Sequence, residues 1–246
     1  MNTKMDYDAM FSGIIGEDYA MLKQLSPLSY EMSNLVGATV AEYAKSGLNV
    51  VELGGGTGIT TLSILSQHDS AKVLSIDNEP TMQKQAQASL ADWVNAGRLT
   101  FSGDDALTAL KKLPDASVDS VASAYTLHNF TQGYRKQVLA EVFRVLVPGG
   151  CFINGDRYAL DDIDLHTRTT QQEVSRYFRV LIAASKLELL EHWIVHLFSD
   201  ESENHIMRET QALTQLAELG FGAIQFSHRY EVNALVSASK PLLTNE

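Results

Sequence analysis

The stretch from Asn49 to Thr61, NVVELGGGTGITT, decides the fold of this chain. Val50, Val51 and Leu53 predict a short apolar strand, which stops at a cluster of glycines before a helix begins near Thr57. Glycine lets the backbone turn tightly and lets a ligand come into van der Waals contact with it. The helix behind the turn offers unpaired N–H groups to an electron-rich ligand. The stretch therefore predicts a strand–turn–helix unit that binds such a ligand.

The spacing of the small residues narrows the choice of ligand. A dinucleotide fingerprint needs a third small residue where this chain has Ile59. Glu52, Gly54, Gly56 and Gly58 instead resemble motif I of the class I S-adenosylmethionine (SAM)-dependent methyltransferases. The resemblance implies that Glu52 faces the methionine amino group, directly or through water, and that the glycines admit the methionine and the ribose. Taken alone, the stretch also fits a glycine-rich connection in another α/β domain.

The composition limits the class of partner. With 246 residues, of which 45% are hydrophobic, the chain can form one α/β domain with a sizeable core. A net charge of −11 and the lack of a Lys/Arg run disfavour a nucleic-acid partner. The single cysteine, Cys151, excludes an intramolecular disulfide and a cysteine-based metal cluster. Since the sequence shows neither an apolar leader nor a membrane-length apolar run, we expect a cytoplasmic protein with no membrane partner.

Acidic residues follow the next two predicted strands. The second strand, KVLSI, ends on Asp77, whose carboxylate has two oxygens that can accept hydrogen bonds from both ribose hydroxyls. In the methyltransferase pattern, the neighbouring Asn78 packs on the adenosine. The third strand, RLTFS, precedes Asp104, which matches the family position that accepts a hydrogen bond from the adenine amino group. We expect Asp105 to cap the helix that follows.

The segment after the fourth predicted strand carries the candidate catalytic residue. It lies at the carboxyl end of a central strand, where ligands of open α/β sheets bind. Its sequence, SAYTLHNF, is similar to that of the small-molecule methyltransferases, which include the ubiquinone and menaquinone biosynthesis enzymes, and the similarity implies that Tyr125 contacts the cofactor. A base is needed only if the acceptor holds its proton at neutral pH, and histidine is the usual choice. We predict His128 as this base, with loop anchoring or pocket lining as the alternative.

The complete pattern predicts a Rossmann-like α/β fold. Its seven-stranded, mostly parallel sheet ends in an antiparallel C-terminal hairpin, with helices on both faces and a helical insertion between strands 5 and 6. We expect a single methyltransferase domain over residues 1–246. Its parts are an N-terminal arm and helix that form a lid (1–47), a SAM-binding core (48–157), a helical acceptor-pocket insertion (158–200), and a last helix with the hairpin (201–246).

Two tyrosines and one arginine complete the core of the predicted site. Tyr19 in the arm and Tyr30 in the leading helix are predicted to contact the cofactor as parts of the lid. Their rings could equally pack on the sheet edge while their hydroxyls reach water. Arg157, at the tip of the fifth strand, faces the ligand side and is predicted to bind the substrate.

The insertion contains the sequence EHWIVH. His192 and His196 are four residues apart, so on a helix they share a face. A metal site would need a third ligand, for which Asp200 or Glu201 is available. We favour pocket lining by both histidines and Trp193 instead, because the family needs no metal for many acceptors, and we predict no metal.

Together these residues predict an enzyme that transfers a methyl group from SAM to a small-molecule acceptor by in-line displacement, with S-adenosylhomocysteine as the product. The sequence leaves open whether the methylated atom is oxygen, nitrogen or carbon. A homodimer is possible. The chain is also similar to carboxy-SAM synthase, which makes a carboxylated cofactor and needs cations to hold the extra carboxylate. Arg157, Arg168, Arg176 and Arg179 could supply them, but none matches that family's motif. The alternative that is not an enzyme is a SAM-binding protein without transferase activity.

Overall fold

The computed structural model describes residues 28–43 and 47–242. Tyr19 and the side chain of Tyr30 lie outside the described part of the chain. In chain order the elements are α1 (Leu28–Glu42), β1 (Asn49–Leu53), α2 (Ile59–Gln67), β2 (Lys72–Ile76), α3 (Pro80–Ser89), α4 (Ala91–Asn95), β3 (Leu99–Ser102), α5 (Ala106–Lys111), β4 (Val118–Ala124), a 3₁₀ turn (Leu127–Asn129), α6 (Gln132–Val145), β5 (Leu146–Arg157), α7 (Ile163–Ala183), α8 (Leu187–Asp200), α9 (Glu209–Glu218), β6 (Gly222–Tyr230) and β7 (Asn233–Ser239).

The strands form one seven-stranded sheet in the order β3-β2-β1-β4-β5-β7-β6. Five neighbouring strands, β3, β2, β1, β4 and β5, pair in parallel. Strand β7 runs antiparallel to both β5 and β6. The predicted fold class is therefore confirmed. The strand order reverses between β1 and β4, and the carboxyl ends of these neighbouring strands open a crevice of the kind that binds ligands in open α/β sheets.

The central strands are buried on both faces. Every residue of β1 after the first is buried, and so is β4 up to its last residue. Such runs are typical of parallel strands covered by helices on both sides. One hydrophobic cluster, around Phe152 and α6, lies on one face, and a second, around Ile153 and α1, lies on the other. These two cores fix the positions of the strand ends that carry the predicted site.

Three elements differ from the sequence prediction. The sequence after Pro80 predicts one helix over 81–95. In the structure it divides at Leu90, which is buried and packs beneath Gly58. The sequence predicts that the Pro148–Gly150 segment ends a helix and that the fifth strand begins at Cys151. In the structure β5 begins at Leu146, and this segment forms an irregularity within the strand. The apolar pattern of the insertion predicts a helix from about Thr170, but α7 begins seven residues earlier. Its first turns lack the usual pattern because they bury the polar His166 and Thr169 and expose the apolar Ile163 and Leu165.

The insertion folds as a pair of helices with its own small core. Buried side chains of α7 and α8 pack together there: Tyr177, Leu181, Leu189, Leu190 and Leu197. Asp162 caps α7, because its side chain accepts a hydrogen bond from the Leu165 N–H at 2.9 Å. The described residues contain no helix that has both the length and the apolar character needed to cross a membrane.

Candidate active site at the carboxyl edge of the sheet

A cavity opens at the carboxyl ends of β1, β2, β4 and β5 and extends to the insertion. It is lined by most of the predicted site residues: Gly54, Gly56, Asp77, Asn78, Asp104, Tyr125, His128, Arg157, Trp193 and His196. Glu52, Gly58 and His192 are not among the lining residues. The tips of separate strands and one face of α8 thus meet around a single space.

The glycines after β1 have different neighbours. A Cβ on Gly54 would lie 2.0 Å from Thr126 Oγ1, and one on Gly58 would lie 2.7 Å from a Leu90 methyl carbon. Both glycines therefore make room for other parts of the protein. A Cβ on Gly56 would meet only Met82 Sδ, at 3.9 Å, and Gly56 has a φ of +52°. Space beside the backbone is thus left for a ligand at Gly56.

Glu52 lies beneath the glycine turn and is 1% exposed. One carboxylate oxygen accepts a short hydrogen bond from the Thr61 hydroxyl, while Oε1 is buried with no hydrogen-bond partner among the described residues. Burial raises the pKa of Glu52 from 4.5 to about 7, against the hydroxyls of Thr61 and Ser75, which lower it. Glu52 is therefore a buried acid below the cavity floor rather than part of its wall.

Asp77 is fixed at the cavity wall by the backbone on both sides of it. Its Oδ2 accepts a hydrogen bond from the Gly56 N–H at 2.7 Å, and its Oδ1 accepts one from the Glu79 N–H at 2.8 Å. Glu79 in turn caps α3, since its side chain accepts from the Met82 N–H at 2.7 Å. The carboxylate thereby ties the end of β2 to the glycine turn after β1.

The two acids after β3 have divided roles. Asp105 caps α5 as predicted, because its Oδ1 accepts from the Thr108 N–H at 3.0 Å. Asp104 lines the cavity and accepts hydrogen bonds from Lys112 Nζ at 2.7 Å and from Ser102 Oγ at 2.9 Å. These bonds hold the pKa of Asp104 below its usual value.

The turn after β4 is held in place by buried polar contacts. Tyr125 adopts a left-handed backbone with φ of +51°, and its hydroxyl donates to Asn233 Oδ1 at 2.9 Å. Arg135 on α6 donates to the carbonyl oxygens of Leu127 at 2.9 Å and Phe130 at 2.8 Å, and also to that of His205. These bonds fix the 3₁₀ turn that carries His128.

His128 pairs with a buried carboxylate. Its Nδ1 lies 2.6 Å from Asp156 Oδ1, and Asp156 also accepts from the Leu127 N–H at 2.9 Å and the Arg157 N–H at 2.8 Å. Burial lowers the pKa of His128, but Asp156 and Asp200 outweigh this effect and raise it above its usual value. Because Asp156 accepts at Nδ1, the neutral ring keeps its lone pair on Nε2, which faces Asp200.

Arg157 is already engaged by carboxylates. Its two terminal nitrogens donate to Glu173 at 2.7 and 3.0 Å, and Glu201 lies 3.4 Å away. Glu173 also accepts from the Tyr177 hydroxyl at 2.6 Å. Arg157 thus joins β5 to the insertion at the cavity wall.

The two histidines of α8 have different surroundings. His196 is buried in the cavity wall, with its Nε2 3.6 Å from Asp200 Oδ1. His192 lies outside the cavity lining, and its Nδ1 is 2.7 Å from the carbonyl oxygen of Glu188. Burial lowers the pKa of His196. The helix therefore directs one of the predicted pair, together with Trp193, into the cavity.

Several cavity residues were not predicted as site residues: Met82, Glu173, Tyr177, Asp200 and Asn233. Glu173 and Tyr177 are four residues apart on α7 and share a face, so helical spacing within the insertion was the available signal. Asp156, the partner of His128, directly precedes Arg157 at the tip of β5. Its position at a strand end was the available signal.

Residues 50–150 match the family described as methyltransferase domain. The match covers 101 of the 246 residues and is consistent with a class I SAM-dependent methyltransferase. The resemblance inferred from the glycine turn is thus confirmed, and so are the assignment as a SAM-dependent enzyme and SAM as its cofactor. The matched residues run from β1 into β5 and include the strand tips at Asp77, Asp104 and His128.

Known proteins resemble this chain over most of its length. A carboxy-S-adenosyl-L-methionine synthase from Shewanella amazonensis is 24% identical over 90% of this chain and 89% of its own. An O-methyltransferase family protein from Burkholderia thailandensis has a TM-score of 0.66 and 16% identity over 92% of this chain. Human N-acetylserotonin methyltransferase in complex with SAM has a TM-score of 0.62 and 15% identity over 98% of this chain. The chain spans 60% of the length of each of these two solved structures, and at such identities they show a shared fold.

Proposed function

We propose that the protein transfers a methyl group from SAM to a small-molecule acceptor. The observation that carries this proposal is that one cavity joins the strand tips of the methyltransferase domain to the wall of the insertion. Asp77 and Asp104 follow β2 and β3 on one side of β1, whereas His128 follows β4 on the other side and lies beside His196 of the insertion. A cofactor and an acceptor held on these two sides would be oriented towards each other, which is the main contribution an enzyme makes to an in-line displacement.

The residues at the strand tips suit SAM. Gly56 leaves space beside its backbone, and the Asp77 carboxylate stands next to it, as needed for a ribose. We propose that Asp104 and Asn78 contact the adenine end and Tyr125 the methionine end. Glu52 lies buried below the turn and outside the cavity lining, so we propose that it supports the methionine end from beneath the glycines. SAM, when bound, supplies an activated methyl group.

The insertion residues would form the acceptor pocket. Trp193, Tyr177 and Leu197 give this end of the cavity an aromatic and apolar wall, which would hold an acceptor and exclude water from the reacting atoms. Arg157 stiffens the wall through its ion pair with Glu173. In this proposal the residues over 158–200 select the acceptor, and Tyr19 and Tyr30 remain predicted lid contacts.

We propose that His128 accepts the acceptor's proton at Nε2. Asp156 holds the ring by Nδ1 and stabilises the protonated form, as carboxylates do for general bases. Because the Leu127 and Arg157 backbone N–H groups also bind Asp156, the pair is fixed before an acceptor arrives. An acceptor hydroxyl or amine within hydrogen-bond reach of Nε2 would lose its proton as the methyl group transfers.

The proposal is tested by product formation. The purified protein is incubated with SAM carrying a labelled methyl group and with pooled small metabolites, and products are identified by mass spectrometry. We expect S-adenosylhomocysteine together with a labelled acceptor. If SAM binds but no labelled product forms from any pool, methyl transfer is rejected in favour of a binding protein.

The role of His128 is tested separately once an acceptor is known. His128→Gln should lower kcat by roughly 10²–10⁴-fold at neutral pH while leaving KM for SAM near its wild-type value, because only the proton transfer is lost. His192→Gln, outside the cavity lining, is the matched control. Unchanged kcat in His128→Gln would reject the base.

A second candidate function is synthesis of a carboxylated SAM. It is favoured by the relatives of that name, which match most of this chain. Among the described arginines considered for the extra carboxylate, Arg157 lines the cavity but is paired with Glu173, Arg176 pairs with Glu231, and Arg168 and Arg179 are exposed. We therefore favour methyl transfer. The same mass-spectrometric experiment decides, since a carboxylated cofactor without a methylated acceptor would establish the second function.

A further inference from the structure

Side chains that can coordinate a metal ion meet where the insertion closes the cavity. His128 comes from the turn after β4, whereas His196 and Asp200 come from the last turns of α8. One ligand atom of each lies within 4.8 Å of the other two, and all three residues are buried. Two imidazoles and one carboxylate are thereby presented to one point of the cavity wall.

The distances between these ligand atoms suit coordination of one shared ion better than direct hydrogen bonds between the residues. Asp200 Oδ1 lies 3.6 Å from His196 Nε2, and its Oδ2 lies 4.0 Å from His128 Nε2. Both distances exceed hydrogen-bond length. Nitrogen and oxygen ligands about 2.1 Å from one ion are themselves roughly 3–4 Å apart, so a small inward movement would complete the coordination.

Asp156 gives His128 the support that metal-binding histidines have. A histidine ligand almost always donates its second ring N–H to a carboxylate, a carbonyl or water, which fixes the tautomer and orients the ring. Here Asp156 accepts at His128 Nδ1 over 2.6 Å, and backbone N–H groups hold Asp156 in turn. The lone pair of Nε2 is therefore directed towards Asp200 and His196.

The local charge favours a cation. Of the carboxylates near Arg157, Asp156 lies 2.6 Å from His128, Glu173 pairs with Arg157 at 2.7 Å, and Glu201 lies 2.6 Å from His166 Nε2. Asp200 lies farther from the bases around it, at 3.6 Å from His196 and 4.0 Å from His128. Both terminal nitrogens of Arg157 donate hydrogen bonds to Glu173. The Nε of Arg157 lies 3.7 Å from Asp200 Oδ2. Burying a carboxylate such as Asp200 is costly unless positive charge is held close to it.

We propose that His128, His196 and Asp200 bind one divalent transition-metal ion. Two imidazoles and a carboxylate suit Zn²⁺, Fe²⁺, Mn²⁺ or Co²⁺, and three protein ligands leave at least one coordination position facing the cavity. His192, the partner that sequence spacing suggested for His196, takes no part, because its ring contacts the Glu188 carbonyl outside the cavity lining.

This inference goes beyond the proposed function and does not depend on it. The ion occupies the Nε2 atom that would otherwise accept a proton, so the two roles of His128 exclude each other at any instant. His196→Gln separates them, since it removes a metal ligand and leaves the pair of His128 with Asp156 in place.

The test measures metal binding without SAM or acceptor. The full chain, stripped with chelator, is titrated with Zn²⁺ by calorimetry and with Co²⁺ by visible absorption. We expect one equivalent to bind the wild type and His192→Gln alike. His196→Gln and Asp200→Asn should each lose affinity by at least the roughly 10–100-fold that loss of a supporting residue costs a metal site.

Stoichiometric binding that persists in both ligand variants, falls equally in His192→Gln, or is missing from the wild type would overturn the proposal. Since the wild-type titration is itself decisive, a variant that fails to fold does not leave the question open. Methyl transfer is assayed independently, so failure of the metal site and failure of the proposed function are distinguishable.

Discussion

Replacing Glu52 by Gln should make the protein more stable at neutral pH, by an amount that grows with pH. Glu52 is 1% exposed, and one of its oxygens has no hydrogen-bond partner among the described residues. Burial raises its pKa from 4.5 to about 7. The folded state therefore holds the proton more tightly than the unfolded chain does.

The sign and size of the effect follow from this difference. Below pH 4.5 the carboxyl is protonated in both states and costs nothing; as the pH rises from 4.5 to about 7, the unfolded chain ionises first and folding loses free energy. A tenfold change in proton affinity is worth about 1.4 kcal/mol, so the loss reaches roughly 3 kcal/mol above pH 7. Gln cannot ionise, so the Glu52→Gln variant does not lose this free energy of folding.

The assay is urea unfolding of the wild type and Glu52→Gln at intervals between pH 4 and 8. The difference in the free energy of unfolding should shift in favour of the variant by roughly 3 kcal/mol across this range, with similar m-values. Glu218→Gln, at the exposed end of α9, is the control and should show no such shift. A difference between Glu52→Gln and the wild type that stays constant with pH would refute the reasoning. Functional sites commonly contain buried acids of this kind, even though such acids reduce the stability of the fold.

Further variants test the cofactor end and the turn that carries His128. Asp77→Ala should weaken SAM binding by calorimetry on the order of 10–100-fold, since hydrogen bonds to a charged group are worth about 1.5–3 kcal/mol; unchanged affinity would reject the ribose contact. Gly56→Ala places a Cβ at a φ of +52° beside the cavity, so both SAM affinity and stability should fall, the latter by roughly 1–2 kcal/mol. Arg135→Met leaves buried carbonyl oxygens of the 3₁₀ turn without their donor, and unfolding should become easier by several kcal/mol, at about 1–3 kcal/mol for each; Lys136→Met, on the exposed side of α6, is its control.

The parts of the site that follow strand ends were predictable from the sequence. The glycine turn, Asp77 and Asp104 could be placed because consecutive parallel strands end at one edge of the sheet, whatever the details of packing. Local chemistry also sufficed for Asp105, since a helix start needs an acceptor for its unpaired N–H groups. The irregular Pro148–Gly150 segment was missed because a proline followed by glycines is also the pattern of a helix end. The first turns of α7 were missed because their buried face is polar.

The sequence by itself determined the fold and the cofactor class, because both depend on the order of strands and on a short glycine motif with a local backbone requirement. Only the tertiary structure decided that Glu52 lies beneath the turn, that Gly56 faces open space, and that His196 rather than His192 lies beside His128 and Asp200. The rotation of α8 is set by which of its apolar side chains bury against α7, and residues far apart in the sequence meet only once that packing is formed. No spacing within the chain encodes that meeting, since it depends on how the insertion packs against the sheet edge.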